Sequence, residues 1–477
     1  MVNFIGVSNN EDFFNFIKNE LPENITSIID NYINDGFQIY NGNHDNYPHL
    51  EKYNGLDNLV KYWNFSIYLM CHLLYFKTIK IKCFLTGKII NSYYSDMLYI
   101  YHDPLITYYF PYYLFSDGIN TCVLVYGGPY YLPMFVYYIE KQECYNLLSG
   151  NNFGSVYGSY ESYNSLIDNF LKRYNEKEQK LFLVNLNEKQ REVSMIFATN
   201  FQVGHYLWNE VSGVELLIKT DLIKNIDKLL LSKFDICIVH ELIKEKNPNC
   251  KIINIKDYEN TECNIFYGAI SGYFMTTEAQ KYLFYSIKNP IKFNKKLVIM
   301  IVIKADRRIL IDMDSIYIQL INKLVKNNIM NPSELLILFD GLYNNDDSND
   351  ETSYYNIHKE KYTTIINNIS NNIHKDIACK SLIGLKFNEI LPYYNNINYW
   401  IGTGSSSIEI LIQSSINGLI ITPDYLLYGL QQQICYIQNR RKHSLVIGKS
   451  QESDYKIDFI ELYDNVREDI KNITNNI

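Results

Sequence analysis

The segment Trp400-Ile-Gly-Thr-Gly-Ser-Ser-Ser-Ile-Glu409 constrains the fold more than any other part of the chain. It reads as a buried strand that enters a glycine-serine turn and opens directly into a helix. Residues 408–416 supply a helical apolar face, Asn417-Gly418 ends it, and Leu419-Ile-Ile-Thr-Pro423 reads as the next buried strand. A strand–turn–helix–strand unit is the repeating element of a parallel sheet covered by helices. The turn aims several backbone N–H groups at one spot, and the positive end of the helix dipole adds to them, an arrangement that binds phosphate. Gly402 and Gly404 admit close backbone approach because neither carries a side chain. Ser405, Ser406 and Ser407 line the turn, and Glu409 falls in the first turns of the helix, where a carboxylate can accept from a ribose hydroxyl. The competing reading is a plain tight turn, since many such turns bind nothing.

The rest of the chain extends the α/β pattern. Lys296-Leu-Val-Ile-Met-Ile-Val-Ile303 is a continuous apolar, β-rich run suited to a central parallel strand. After it the spacing predicts a helix over 315–326 with Asp314 as N-cap, a strand over 334–339, a polar loop over 344–351 and a helix over 355–371. The final stretch, 455–477, is again helical in pattern. Upstream, residues 181–184, 193–197, 234–239 and 251–255 read as short buried strands, with helices over 204–219 and 279–287. Asn289-Pro290 then breaks the chain. Residues 160–178 read as a helix, and 79–84, 122–126 and 134–139 as strands.

The expected fold is therefore α/β, with two Rossmann-like domains facing a cleft and an N-terminal helical and strand-rich extension. The expected boundaries are 1–80 for a helical extension, 81–290 and 291–450 for the two α/β domains, and 451–477 for a last helix. A length of 477 residues suits this, at roughly 150 residues per domain.

Composition removes several function classes. The net charge is -8 and the pI about 5.7, so no overall basic field invites nucleic acid. The short basic run Arg440-Arg441-Lys442-His443 fits a solvated face better than a ligand site. The nine cysteines show no CxxC pair and no metal-ligand spacing with histidine, so reduced, buried thiols and no bound metal are expected. No secretory signal follows Met1, and no apolar run reaches the ~20 residues of a membrane helix. A cytoplasmic protein without a membrane span is the expectation. The 44 tyrosines and abundant Asn, Ile and Lys reflect AT-rich coding more than chemistry, and this bias resembles that of giant-virus proteins, which implies a host cytoplasm.

Acid–base chemistry is carried by a second segment, Ala198-Thr-Asn-Phe-Gln-Val-Gly-His-Tyr-Leu-Trp-Asn-Glu-Val-Ser-Gly213. It leaves a strand, passes Gly204 and starts a helix bearing His205, Asn209 and Glu210. His205 and Asn209 lie one turn apart on one face. A histidine at a helix start can act as a general base, with Asn209 or Glu210 orienting it or holding a substrate hydroxyl. The alternative is a capping His205 beside a core tryptophan. His240-Glu241 also follows an apolar run and can line the same cleft, although a structural role suits that pair better. Arg307 and Arg308 follow the long strand, where guanidinium groups can face a diphosphate; a solvated surface pair is the alternative.

Taken together, the Gly-His-Tyr-Leu-Trp-Asn-Glu helix start resembles the acceptor half of a GT-B glycosyltransferase. Lys304-Ala-Asp-Arg-Arg308 and Gly-Thr-Gly-Ser-Ser-Ser-Ile-Glu409 resemble the donor half, and the last helix is similar to the one that crosses back between domains in that fold. The likeness covers roughly residues 180–477. It departs from the pattern before the donor turn, where Asn398-Tyr-Trp-Ile stands in place of His-Gly-Gly. The resemblance implies a metal-independent transfer from a nucleotide sugar, a substrate and not a cofactor, to a glycan or protein hydroxyl, as in glycan biosynthesis. Gly402, Gly404 and Ser405 to Ser407 would hold the diphosphate, Glu409 the ribose, and Arg307 or Arg308 the leaving charge. His205, with Glu210, would serve catalysis, while Asn209 and His240 would hold the acceptor. Two alternatives stay open: a sugar-nucleotide epimerase of the same fold, drawing on Glu210, Glu215 and Glu241, and a non-catalytic scaffold.

Overall fold

The computed structural model describes residues 2–6, 11–41, 56–103, 106–127, 132–147, 160–181, 191–199, 206–232, 235, 237–258, 264–272, 282, 287, 290–306, 309–344, 354–403, 408, 410–411, 416–424, 444–451 and 454–475. The chain divides into two compact units, Met1–Phe37 with Lys52–Tyr282, and Gln38–Glu51 with Leu283–Ile477. The described residues form a mixed α/β protein with three sheets. Among them no helix is long and apolar enough to cross a membrane.

The first unit holds two of the sheets. Strands β1 (Asn3–Gly6), β2 (Lys80–Lys82), β3 (Ile89–Asp103), β4 (Ile106–Ser116), β5 (Thr121–Gly127), β6 (Leu132–Tyr138) and β7 (Glu143–Asn146) form a seven-stranded sheet in the order β1-β7-β6-β5-β4-β3-β2. The strands β2 to β7 make an antiparallel meander, and β1 joins it parallel to β7. Its middle strand is covered on both faces: Cys122, Val123, Leu124, Val125 and Tyr126 are all buried. Helices α1 (Glu11–Glu20), α2 (Glu23–Asn41), α3 (Leu56–Phe76) and α4 (Tyr160–Leu181) supply apolar cover, with α3 against β6 and α4 against β3.

The second sheet of this unit is parallel. Strands β8 (Glu192–Phe197), β9 (Lys228–Leu231), β10 (Lys251–Asn254) and β11 (Ile265–Ala269) lie in the order β10-β9-β8-β11. Its edge strand β11 packs on β3 and β4. The free backbone groups of an edge strand need partners, and side chains of the meander provide them. Tyr267 N donates to Ser95 Oγ at 3.1 Å, and Tyr113 OH donates to Tyr267 O at 2.5 Å. The aromatic strands of residues 80–148 thus complete the core around this small parallel sheet.

The sequence expectation of a strand over 234–239 is not met. The strand of this region is β9, whose Lys228 pairs with Glu192 across the sheet at 2.7 Å. Val239 instead begins helix α6 (Val239–Lys246): the apolar run that suggested a strand turns into a helix where Asp235 takes its first backbone N–H groups. The expected helix over 204–219 is described from Tyr206, as a π-helical turn, Tyr206–Val211, that runs into α5 (Ser212–Lys219).

The second unit carries one seven-stranded sheet. Strands β12 (Leu297–Val302), β13 (Leu335–Asp340), β14 (Ala378–Ser381), β15 (Tyr399–Thr403), β16 (Gly418–Pro423), β17 (Ser444–Gln451) and β18 (Asp454–Lys456) lie in the order β14-β13-β12-β15-β16-β17-β18. All neighbours are parallel except the last pair. Strands β12, β13, β15 and β16 are buried along their whole length, as continuous apolar runs in a helix-covered parallel sheet should be. Helices α7 (Met313–Lys326), α8 (Tyr354–Asn372) and α10 (Phe459–Thr474) cover one face, burying Tyr317, Leu320, Ile366, Ile369, Leu462 and Val466 against the sheet. Helix α9 (Phe387–Tyr394) buries Phe387, Ile390 and Leu391. The C-terminal helix α10 is also tied by hydrogen bonds: Tyr399 OH and Ser444 Oγ donate to Asp469 Oδ2 at 2.7 and 2.8 Å.

Candidate functional site

Strand order decides where a parallel sheet can offer a site. In the second unit the chain steps from β12 outward to β13 and β14, then returns to the other side of β12 for β15. Connections leaving β12 and β15 therefore run to opposite sides of the sheet, which makes the carboxyl ends of these two strands a topological switch point. Their register sets Val302 beside Gly402. The glycine-serine segment follows β15 in the sequence. Gly404, Ser405, Ser406, Ser407 and Glu409 lie outside the described residues, as do Arg307, Arg308 and His205.

Gly402 itself is required for packing. A Cβ there would sit 2.4 Å from Ile408 Cγ2 and 3.2 Å from Val302 Cβ, so the missing side chain lets the segment after the turn settle on the strand. This packing role stands beside the close ligand approach expected of Gly402 from the sequence. Thr403, the last residue of β15, is buried, and its Oγ1 has no hydrogen-bond partner among the described residues.

Two buried carboxylates flank the same sheet edge. Lys304, just past β12, contacts Asp306 at 2.9 Å, with only 13% and 5% of their side chains exposed, and Tyr362 OH donates to Asp306 at 3.2 Å. The strand end that reads as basic in sequence is thus partly neutralised within three residues. Asp340 ends β13 beside Val302. Its carboxylate accepts from Gly341 N at 2.7 Å and Tyr394 OH at 2.6 Å, and burial pushes its pKa up to about 6. Gly341, at φ +138°, brings the backbone so close to Ile303 that a Cβ would lie 2.0 Å from its carbonyl oxygen. Nothing in the motif reading pointed to Asp340; its one signal is a charged residue closing the apolar run Leu-Leu-Ile-Leu-Phe.

In the first unit, Glu210 and Asn209 are both buried in the π-helical turn. Glu210 Oε1 accepts from Thr199 N and Thr199 Oγ1 at 3.1 and 3.0 Å, which holds the chain leaving β8. Asn209 Nδ2 donates to Gly272 O at 3.2 Å, and Gly272 N donates to Asn209 O at 2.5 Å, joining the turn to the chain leaving β11.

His240 stands in the first turn of α6, beyond the carboxyl end of β9. Its Nδ1 lies 2.5 Å from Asp235 Oδ2. Asp235 also accepts from Val239 N at 2.9 Å, His240 N at 3.0 Å and Tyr206 OH at 2.5 Å. Its side chain is 5% exposed, whereas that of His240 is 28% exposed. The hydrogen bond to Asp235 holds the His240 pKa above its ordinary value, against the opposing effect of burial. Burial, with Asp235 beside it, pushes the Tyr206 phenol well up. Ala198 and Ile238, in the chain leaving β8 and immediately before α6, are both left-handed at φ 61° and 55°. A β-branched residue in that region is strained, and such strain gathers at functional sites. Among the described residues no group of three or more His, Cys, Asp or Glu is placed to hold a metal ion.

No protein-family model and no curated protein matches the chain. Among the solved structures it resembles is a dodecameric iron-containing heptosyltransferase, TibC, in complex with ADP-D-beta-D-heptose. The identity is 9% and the TM-score 0.31, over 60% of this chain and 76% of that one. That neighbour is a glycosyltransferase, and at this distance the likeness identifies no family.

Proposed function

We propose that the protein is a glycosyltransferase of two Rossmann-like domains, moving a sugar from a nucleotide-sugar donor to an acceptor hydroxyl without a bound metal. The observation that carries this reading is the switch point between β12 and β15, the second of which leads in sequence into Gly-Thr-Gly-Ser-Ser-Ser. In this proposal residues 291–450 bind the donor. Gly402, Gly404 and Ser405 to Ser407 cradle the diphosphate through the backbone, Glu409 holds the ribose, and Arg307 or Arg308 offsets the charge of the leaving nucleoside diphosphate. The acceptor is a glycan or protein hydroxyl handled by residues 81–290, and the site of action is the cytoplasm.

The test is thermal stabilisation by UDP, GDP, CMP and dTDP, measured on wild type and Glu409→Ala. One nucleotide at a hundredfold excess over its Kd should stabilise the wild type by about 2.7 kcal/mol. The variant should lose most of that stabilisation. A chain whose melting point no nucleotide moves at millimolar concentration is not a nucleotide-sugar enzyme.

A further inference from the structure

We infer that the open face of the β2–β3 hairpin in the first unit docks an extended acidic peptide segment of a partner protein. The surface lies wholly within the first unit, and its role does not depend on the transferase reading.

The sequence of this region is one-sided in charge. Residues 58–95 hold five lysines, Lys61, Lys77, Lys80, Lys82 and Lys88, and no Asp or Glu, in a chain whose net charge is -8. The fold engages two of them internally: Lys77 pairs with Asp227 at 3.0 Å and Lys80 with Glu20 at 2.6 Å. Lys82 and Lys88 are exposed and make no ion pair among the described residues. Lys82 lies opposite Ile89 in the ladder, and Cys83 N donates to Lys88 O at 2.8 Å to close the hairpin. The acids of the adjoining turn are already held by backbone groups. Asp117 accepts from Ile119 N and Asn120 N, and Glu140 accepts from Thr121 N.

The same hairpin carries exposed apolar surface. Along the start of β3 exposure alternates, with Ile89, Asn91 and Tyr93 open and Ile90 and Ser92 buried. A register shift between Ser92 and Tyr94 leaves Tyr93 outside the pairing with β4, a bulge of the kind that re-aims a side chain. Ile89 is 59% exposed and Tyr93 36%. Tyr75, 44% exposed, borders the strip through Phe76: the two rings meet at 4.9 Å, and Lys80, opposite Asn91, sits 4.5 Å over the Phe76 ring. Ile119, 77% exposed, stands in the turn after β4, whose Asp117 lies 3.6 Å from Cys83 Sγ. Four of the six large apolar side chains exposed among the described residues thus gather at one corner. Exposed singly they need no explanation, but a cluster rimmed by charge marks an interaction surface.

Charge decides the occupant. A second copy of this face would set lysine against lysine, which is unfavourable across a sheet. Carboxylates of an acidic partner pair with Lys82 and Lys88 instead. Side chains 89, 91 and 93 repeat about every 6.8 Å, the spacing of alternate residues in any extended chain. An extended segment therefore sets its apolar side chains on Ile89 and Tyr93 and its acidic end over the two lysines.

The experiment follows the fluorescence anisotropy of fluorescein-labelled peptides, Leu-Thr-Leu-Tyr followed or preceded by Asp-Glu-Asp-Glu, titrated with the full chain. A control peptide carries lysine in place of the acids. One acidic peptide should bind with a Kd on the order of 10–100 µM, as a small surface allows, and more weakly as salt rises. Lys82→Gln with Lys88→Gln should weaken binding about three- to tenfold, and Ile89→Thr about tenfold. Both variants keep side chains of similar shape at exposed positions, and their melting points are measured alongside. Anisotropy that stays flat to ~1 mM chain with both acidic peptides overturns the proposal, as does binding that neither variant weakens. Equal binding of the lysine control overturns it too. Phosphatidylserine vesicles and oligouridylate are titrated in parallel, and capture of either without capture of an acidic peptide would replace the peptide with a membrane or a nucleic acid.

Discussion

Asp340 offers the sharpest test of the second unit's sheet edge, because its environment can be read through pH. The carboxyl is fully buried and its pKa lies near 6, against 3.8 for the free side chain. A raised acid pKa means that the folded state holds the proton more tightly than the unfolded state. Stability contributed through this group is therefore greatest at low pH and is lost as pH rises from about 4 to 6. The full cost of the buried charge is about 3 kcal/mol, from 1.36 kcal/mol per pKa unit. Between pH 7 and pH 5, where titration is partial, the change is about 1.3 kcal/mol. Asp340→Asn removes the titration. It also loses an acceptor for Tyr394 OH, but that loss does not vary over this range, so the difference between the two proteins isolates the carboxyl. For a unit of this size, thermal melts at the two pH values should show wild type gaining about 3–5 °C on the variant as pH falls from 7 to 5. Parallel melting profiles would refute the reasoning, since they would mean that Asp340 is solvated or charge-paired at neutral pH.

Two further substitutions probe packing around the same sheet. Gly402→Ala inserts a methyl 2.4 Å from Ile408 Cγ2, and overpacking of this kind should cost about 1–3 kcal/mol, read as a lower denaturant midpoint at constant m-value. An unchanged midpoint would show that the segment at Ile408 does not rest on β15. Tyr399→Phe removes a donor to Asp469 and should destabilise by about 1.5–3 kcal/mol, the usual range for a bond to a charged partner. If its melting point matches wild type, α10 is not anchored through that carboxylate.

The site was only partly legible beforehand. Gly402 stood out as a position that admits close backbone approach; its packing against Ile408 was not legible, because it depends on where that residue lies. Asn209 and Glu210 stood out as polar residues on a helix start. In the fold both are buried, and each ties the turn to a neighbouring strand exit, through Gly272 and Thr199. Asp235 drew no attention, since a single acid in an apolar run carries no motif. Its meaning comes from Tyr206, 29 positions away, and from the helix that starts over it.

Local order was well determined by the sequence alone. The apolar runs at Leu297–Val302 and Leu335–Asp340 and the helix at Tyr354–Asn372 follow from composition and period, because a buried parallel strand needs continuous hydrophobicity and a helix needs one apolar face. Which strands become neighbours was not determined there. The return of β15 to the far side of β12, the meander closing over β11 and the meeting of Asp235 with His240 and Tyr206 are long-range choices. They are settled by how whole faces bury against one another, and that information is spread over the chain, with no one segment holding it.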